Sequence, residues 1–203
     1  MDLPTTQMRI IESAIPLFAR YGYEGVSVDA IVKATGINKA TLYYHYSGQQ
    51  ALFEAVLHDR FTALIAKLEA AVAGDERPET ALLRYIEVML RRKRVEVELM
   101  SRELLGGGQN IPADALALMH RLAGILVNII QDGIRRGRFR EVDPFMILNV
   151  LIGATNNYII GKPLRRKFLD QKGDMAHKCP EYDDETYAKT LHSMLLSILE
   201  NDK

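Results

Sequence analysis

Few side chains in this 203-residue chain have the type and spacing for bond-making chemistry. His177 and Cys179 are two apart, with Asp174 nearby. One cysteine and one histidine in a loop fall short of a zinc ligand set, so neither metal nor cofactor is expected. Glu54 and His58 are spaced by four, whereas a di-metal helical bundle pairs Glu-x-x-His on facing helices. An enzyme is therefore not expected. Arg91-Arg92-Lys93-Arg94 has the composition of a nucleic-acid patch. On one helix, however, these four fan around the axis beside Glu96 and Glu98 and read as a solvated surface. Binding chemistry is concentrated instead in Ser27–Phe53, SVDAIVKATGINKATLYYHYSGQQALF. Gly36 stands between two short helical patterns, where the turn needs a positive φ. Ile31, Ile37 and Leu42 pack these helices together. That leaves Lys39, Ala40, Thr41, Tyr43, Tyr44 and His45 for the open side, the layout of a helix-turn-helix.

The elements that must position this stretch are helical almost from end to end. Ile10, Ile11, Ala14, Leu17, Phe18 and Tyr21 recur at helical spacing, with Thr5 or Thr6 as cap and Gly22 as stop. Ser27 caps a second helix and Asn38 a third, in which Leu42 and Tyr46 face the core. A fourth runs from about Gln49 to Val72, before Gly74-Asp75 and Pro78. Glu79–Leu105 reads as a single helix ended by three glycines, and Pro112 to about Arg136 as another, or as a short and a long piece. Asp143-Pro144 opens a helix to about Ile160. Residues 163–183 read as a long loop, and Asp184 caps a last helix through Leu199. No period-two pattern or repeat appears, so the class is all-α, with about nine helices.

The motif Gly36-Ile37-Asn38-Lys39-Ala40-Thr41-Leu42-Tyr43-Tyr44-His45-Tyr46, followed by Ala51-Leu52-Phe53, resembles the TetR family of regulators. The resemblance is specific over about residues 5–60. It extends more weakly to Gly133-Ile134-Arg135-Arg136-Gly137-Arg138-Phe139 and Asp143-Pro144. It implies an N-terminal three-helix helix-turn-helix domain over 1–48 and a C-terminal helical ligand-binding and dimerisation domain over 49–203. By the same resemblance, the third helix enters the major groove. Lys39 and Ala40 lie where family members touch base edges, and Lys39 can donate to guanine O6 and N7. Tyr43, Tyr44 and His45 lie where the family contacts phosphates, and Ser27 is another phosphate donor. Asn38, Thr41 and Gln49 complete the DNA set. Gln49 departs from the lysine that often begins the family's fourth helix.

A ligand pocket is likewise implied by the resemblance. Tyr85, Met89, Met100, Met119, His120, Asn128 and Asn156 are its candidate lining, a largely apolar set with a few polar groups. Each of them also suits ordinary core. The family's dimer elements correspond to the helices at 144–160 and 184–199. Gly153 and Ala154 permit close approach, while Met194, Leu195, Ile198 and Leu199 form an apolar stripe. The expected protein is a homodimeric repressor that binds a palindromic DNA operator and is released by a small-molecule effector. Two other readings are a dimeric binding module of the same fold without strong DNA affinity, and a helical-bundle enzyme.

Composition bounds these readings. Lys+Arg and Asp+Glu are both 26, so net charge gives no sign of nucleic acid. Residues 1–53 hold Arg9, Arg20, Lys33 and Lys39 against Asp2, Glu12, Glu24 and Asp29, which is four minus four, or zero. The electrostatic footprint of the DNA-reading part is thus weak. The single cysteine excludes an internal disulfide and suits a reducing cytoplasm. Arg9 and Glu12 break any signal-peptide pattern. Phe145–Ile160, with three asparagines, is too short and polar for a comfortable membrane span, so no membrane is expected.

Overall fold

Local chemistry sets the helix boundaries in the computed structural model, which describes residues 5–74, 77–170 and 182–200. Among the described residues there are nine helices and no strand: α1 Thr6–Tyr21, α2 Val28–Thr35, α3 Lys39–His45, α4 Gln49–Val72, α5 Pro78–Leu90, α6 Arg94–Leu105, α7 Ala113–Arg135, α8 Pro144–Asp170 and α9 Asp184–Leu199. Thr5 caps α1, accepting from the Met8 N–H at 3.3 Å. Gly22 and Gly36 end α1 and α2 with positive φ, as a chain leaving a helix requires.

Three boundaries differ from expectation. The single helix over 79–105 is two, α5 and α6, interrupted at 91–93. Lys93 is extended (φ −65°, ψ 137°), and its N–H donates to Glu96 Oε2 at 3.2 Å, so α6 begins on its own cap. Arg92 folds back so that Nε donates to the Met89 carbonyl at 2.8 Å. Basic side chains thus close one helix and precede the next, rather than fanning around one axis. Secondly, α8 continues through Pro163 to Asp170, where a loop from 163 was expected. Lys162 and Arg165 lie over the Tyr158 ring at 4.9 and 4.5 Å, and Arg165 donates to the Tyr158 carbonyl at 2.7 Å, which holds the helix across the proline. Residues 171–181 of that predicted loop, with Asp174, His177 and Cys179, lie outside the described residues. Thirdly, Asp183 rather than Asp184 caps α9, accepting from the Thr186 N–H at 2.7 Å.

The chain divides into two compact units. One comprises the residues up to Leu64 together with Lys93–His120. Its core joins Ile10, Ala14 and Phe18 of α1 to Ile31, Leu42, Leu52, Phe53 and Val56, with Leu99 of α6. Phe18 meets Phe53 edge-on at 4.9 Å. Polar bonds seat α6 on α1: Arg102 donates to the carbonyls of Ala19 (3.1 Å) and Arg20 (2.9 Å), taking up free acceptors at the end of α1. Arg60 of α4 reaches Glu12 at 3.0 Å and Glu96 at 3.2 Å and also pairs with Asp59.

The other unit comprises Ile65–Arg92 and the residues from Arg121 onward. Here α5 packs on both α8 and α9. Leu82, Tyr85, Ile86, Leu126, Ile130, Phe139, Leu151 and Leu199 are buried. Tyr158 and Tyr187 stack at 3.9 Å, and Tyr187 donates to the Ala154 carbonyl at 3.1 Å. Helix α7 is long and apolar enough to cross a membrane by length and composition alone, a test that core helices also pass. It is amphipathic: Leu126, Ile129 and Ile130 are buried, whereas Arg121 and Arg135 are exposed and paired with Glu69 and Asp132.

Candidate functional site

Two helix caps and one glycine shape the exposed face of the helix-turn-helix. The Ser27 hydroxyl accepts from the Ala30 N–H at 3.1 Å and starts α2; its own proton remains available to an acceptor outside. Gly36 is left-handed (φ 70°, ψ 12°) and its N–H closes on the Val32 carbonyl. Thr35 lies beneath the turn, donating to Ile31 O at 3.0 Å and accepting from the Ile37 N–H at 3.4 Å. Asn38 Oδ1 takes both the Thr41 N–H (2.7 Å) and its hydroxyl (2.9 Å), fixing the first turn of α3. Within α3 only Leu42 is buried, and Tyr46 follows it into the core.

The rest of α3 faces outward or is half-buried. Lys39 and Ala40 are exposed; Tyr43 is 48% and Tyr44 85% exposed. Thr41 and His45 are half-buried, with His45 edge-on to Tyr44 at 5.1 Å. Two contacts escaped the sequence reading. Lys39 Nζ pairs with Asp29 of α2 at 3.0 Å, and this bond raises the lysine pKa above its ordinary value. Gln49 donates its side-chain amide to the Tyr23 carbonyl, pinning the start of α4 to the α1–α2 connection. Neither contact has a local spacing signal; Gln49 and Tyr23 come together only when α1 and α4 share a core.

Among the candidate lining residues, Tyr85, Met89, Asn128 and Asn156 belong to the second unit, and Met100, Met119 and His120 to the first. Met100 and Met119 pack against the first unit's hydrophobic core, as irregular core fillers do. His120 is exposed. In the second unit an open cleft of about 550 Å³ is lined by Glu69, Pro78, Ala81, Ile125 and Asn128, with Asp132 at its charged edge. Tyr85 and Met89 are instead fully enclosed. No group of three or more His, Cys, Asp or Glu able to hold a metal exists among the described residues.

The dimer candidates also divide. Leu195 and Leu199 are buried within their own unit (1% and 0% exposed), so they hold α9 to its chain and are not outward-facing. Met194 and Ile198, on the neighbouring row of α9, are exposed, as is Gly153; Ala154 is half-buried. Phe145, Met146 and Val150 of α8 add exposed apolar surface that the sequence reading missed. Helical periodicity alone could have separated the two faces of α9, since 194 and 198 lie on one row and 195 and 199 on the next.

Comparison with known proteins agrees with this architecture. Residues 10–56 match the model of bacterial regulatory proteins of the tetR family. The chain is 26% identical over 159 residues to the HTH-type transcriptional regulator RutR of Escherichia coli O157:H7, covering 73% of this chain and 71% of that one. It is 39% identical over 57 residues to IcaR of Staphylococcus epidermidis, a negative transcriptional regulator of a biofilm operon, covering 28% and 31% of the two chains. Among solved structures, the TetR family transcriptional regulator PfmR of Thermus thermophilus superposes with a TM-score of 0.73 at 27% identity, covering 98% of this chain and all of that one (100%).

Proposed function

Because the chain belongs to the TetR family of helix-turn-helix transcriptional regulators, a non-enzymatic, DNA-binding family, we propose that it is a ligand-responsive repressor that holds a palindromic operator as a homodimer. The observation that carries this reading is the outward face of α3. A short helix fixed by the Asn38 cap and Leu42 presents Lys39, Ala40, Tyr43 and Tyr44 together on one side. Lys39 has the donor for a guanine edge, and Ala40 lets the backbone approach the bases. Ser27, Tyr43, Tyr44 and His45 serve the phosphates, and Asn38 and Thr41 fix the helix that reads. The sign of regulation is supported by the negative regulator to which the N-terminal part is similar.

A palindrome requires two copies. Exposed Met194 and Ile198 on α9 and Phe145, Met146 and Val150 on α8, with Gly153 admitting close approach, suit a bundle of two helices from each subunit. The two recognition helices would then lie about 34–36 Å apart, one DNA turn. The functional division assigns DNA reading to 1–48 and sensing with dimerisation to 49–203. An effector releases the operator only through a difference in its affinity for two conformations. The cytoplasm, where the operator is, is the proposed location, with no membrane involved.

Selection of genomic fragments on the purified protein tests the reading. One enriched palindrome is the expected result. A binding profile no different from random DNA, or a monomer by sedimentation at micromolar concentration, would overturn it.

A further inference from the structure

Helix α8 is apolar on two opposite sides. Leu148, Leu151, Thr155 and Ile159 mark the side that is buried in the second unit. The other side carries Met146, Val150, Gly153 and Asn157, and after them Ile160, Leu164 and Phe168. At about 100° per residue these seven fall within about 40° of one line along the helix, and the buried row lies roughly opposite. Six of the seven are exposed and Ile160 is half-buried. No charged residue interrupts the row. Its members are spaced by three or four, as are side chains that enter the holes of a neighbouring helix.

The row is also nearly palindromic about its one polar side chain. Val150 and Leu164 each stand seven residues from Asn157, and Met146 and Phe168 each stand eleven. Gly153 is four residues before Asn157 and Ile160 three after it, and a Cβ on Gly153 would meet open space. Asn157 makes no hydrogen bond to a side chain or backbone group among the described residues. A row that reads alike in both directions fits the same helix running the other way. With a two-fold axis at Asn157, Val150 meets Leu164 of the partner subunit and Met146 meets Phe168 of the partner subunit. Ile160 then enters the hole left by Gly153 of the partner subunit. An unlike partner would call for no such symmetry.

We propose that α8 docks antiparallel on α8 of a second copy of this chain, and that the two Asn157 side chains pair on the axis. Each amide N–H donates to the other's Oδ1. The proposal rests on the homodimer reading above and gives that dimer its register. A slipped register would set both amides against apolar side chains, and a buried amide without a partner is costly. The seam runs from Met146 to Phe168, about 33 Å of helix, and so includes residues on both sides of Pro163.

The test uses the full chain with Cys179→Ser, so that each introduced cysteine is the only one. Asn157→Cys should give a disulfide-linked dimer on mild oxidation. Val150→Cys alone and Leu164→Cys alone should not, because each lies about 21 Å along the helix from its own copy. Mixed and allowed to exchange subunits, these two variants should give a linked heterodimer. Asn157→Leu should tighten the dimer about tenfold by sedimentation, since the polar pair sets register at a cost in stability. Asn157→Asp should weaken the dimer about a hundredfold at pH 7 and regain it as the pH falls toward about 4, where the paired carboxyls take up a proton. All these positions are exposed in the single chain, so its fold should be kept. Self-linking by Val150→Cys, a dimer that Asn157→Cys fails to link, or a dimer constant unmoved by both Asn157 variants would each overturn the proposal and leave the homodimer reading in place. A wild-type chain that sediments as a monomer removes both.

Discussion

Lys39 is held by Asp29 in the free protein, and both side chains are largely exposed. To reach a base edge, the lysine must exchange this partner for DNA. An exposed pair opens at little cost, so the pairing restrains the side chain without disabling it. Asp29→Asn removes a negative charge facing phosphate and frees the lysine. Affinity for operator and random DNA should rise together, and the slope of log affinity against log salt should steepen by about one per subunit. Titrations at several salt concentrations read both effects; an unchanged slope would mean that Asp29 stands away from the DNA. Lys39→Ala should relax specificity at one base pair, on the order of tenfold, whereas Tyr44→Phe should weaken all sequences alike. Competition between operator and point-mutated sites separates the two, and equal sequence-blind losses would remove Lys39 from base readout. Gln49 has a fold contact to lose as well as a charge to gain, because its amide holds the Tyr23 carbonyl. Gln49→Lys should therefore steepen the salt slope and also lower the melting temperature. A steeper slope with unchanged stability would show that the lysine had replaced the amide on Tyr23.

Two glycines control how elements meet. Gly36 ends α2 at φ +70° with nothing within 4 Å of a would-be Cβ, so Gly36→Ala costs only backbone strain, about 1–2 kcal/mol. That cost falls on the turn that aims α3, and DNA affinity should drop along with stability. Gly133, near the end of α7, is a different case. An added Cβ would lie 2.0 Å from the ring of Phe139, which is 2% exposed, and the Phe139 N–H returns to the Gly133 carbonyl at 3.1 Å. Gly133→Ala should cost at least about 2 kcal/mol, because the ring has nowhere to move. Chemical denaturation compares the two. A milder effect at Gly133 than at Gly36 would show that the α7–α8 connection yields more readily than its packing suggests.

For the molecule as a whole, the two faces of α9 predict opposite outcomes. Met194→Asp alters an exposed apolar side chain and should leave the monomer fold intact while abolishing dimerisation and, with it, tight operator binding. Leu195→Ala, one residue on, empties a fully packed position and should cost about 2–5 kcal/mol in stability. Sedimentation and thermal melts distinguish them. A Met194→Asp protein that remains dimeric would move the interface elsewhere.

Sequence alone was enough for what depends on near neighbours. Helical periodicity, the caps at Thr5, Ser27 and Asn38 and the stops at Gly22 and Gly36 were legible because each involves residues within a turn or so of one another. The all-α class, the helix-turn-helix and the family followed from these and from one contiguous motif. Tertiary structure decided what depends on distant parts of the chain. It split the expected 79–105 helix at Arg92, whose bonds to Thr155 and Asn156 span 63 and 64 residues. It drew Gln49 onto Tyr23, and turned Leu195 and Leu199 inward while leaving Met194 and Ile198 outside. A spacing rule records which residues can share a helix face. Which face is buried, and which charge finds which partner, is settled only when helices far apart in sequence pack and compete for the same interior.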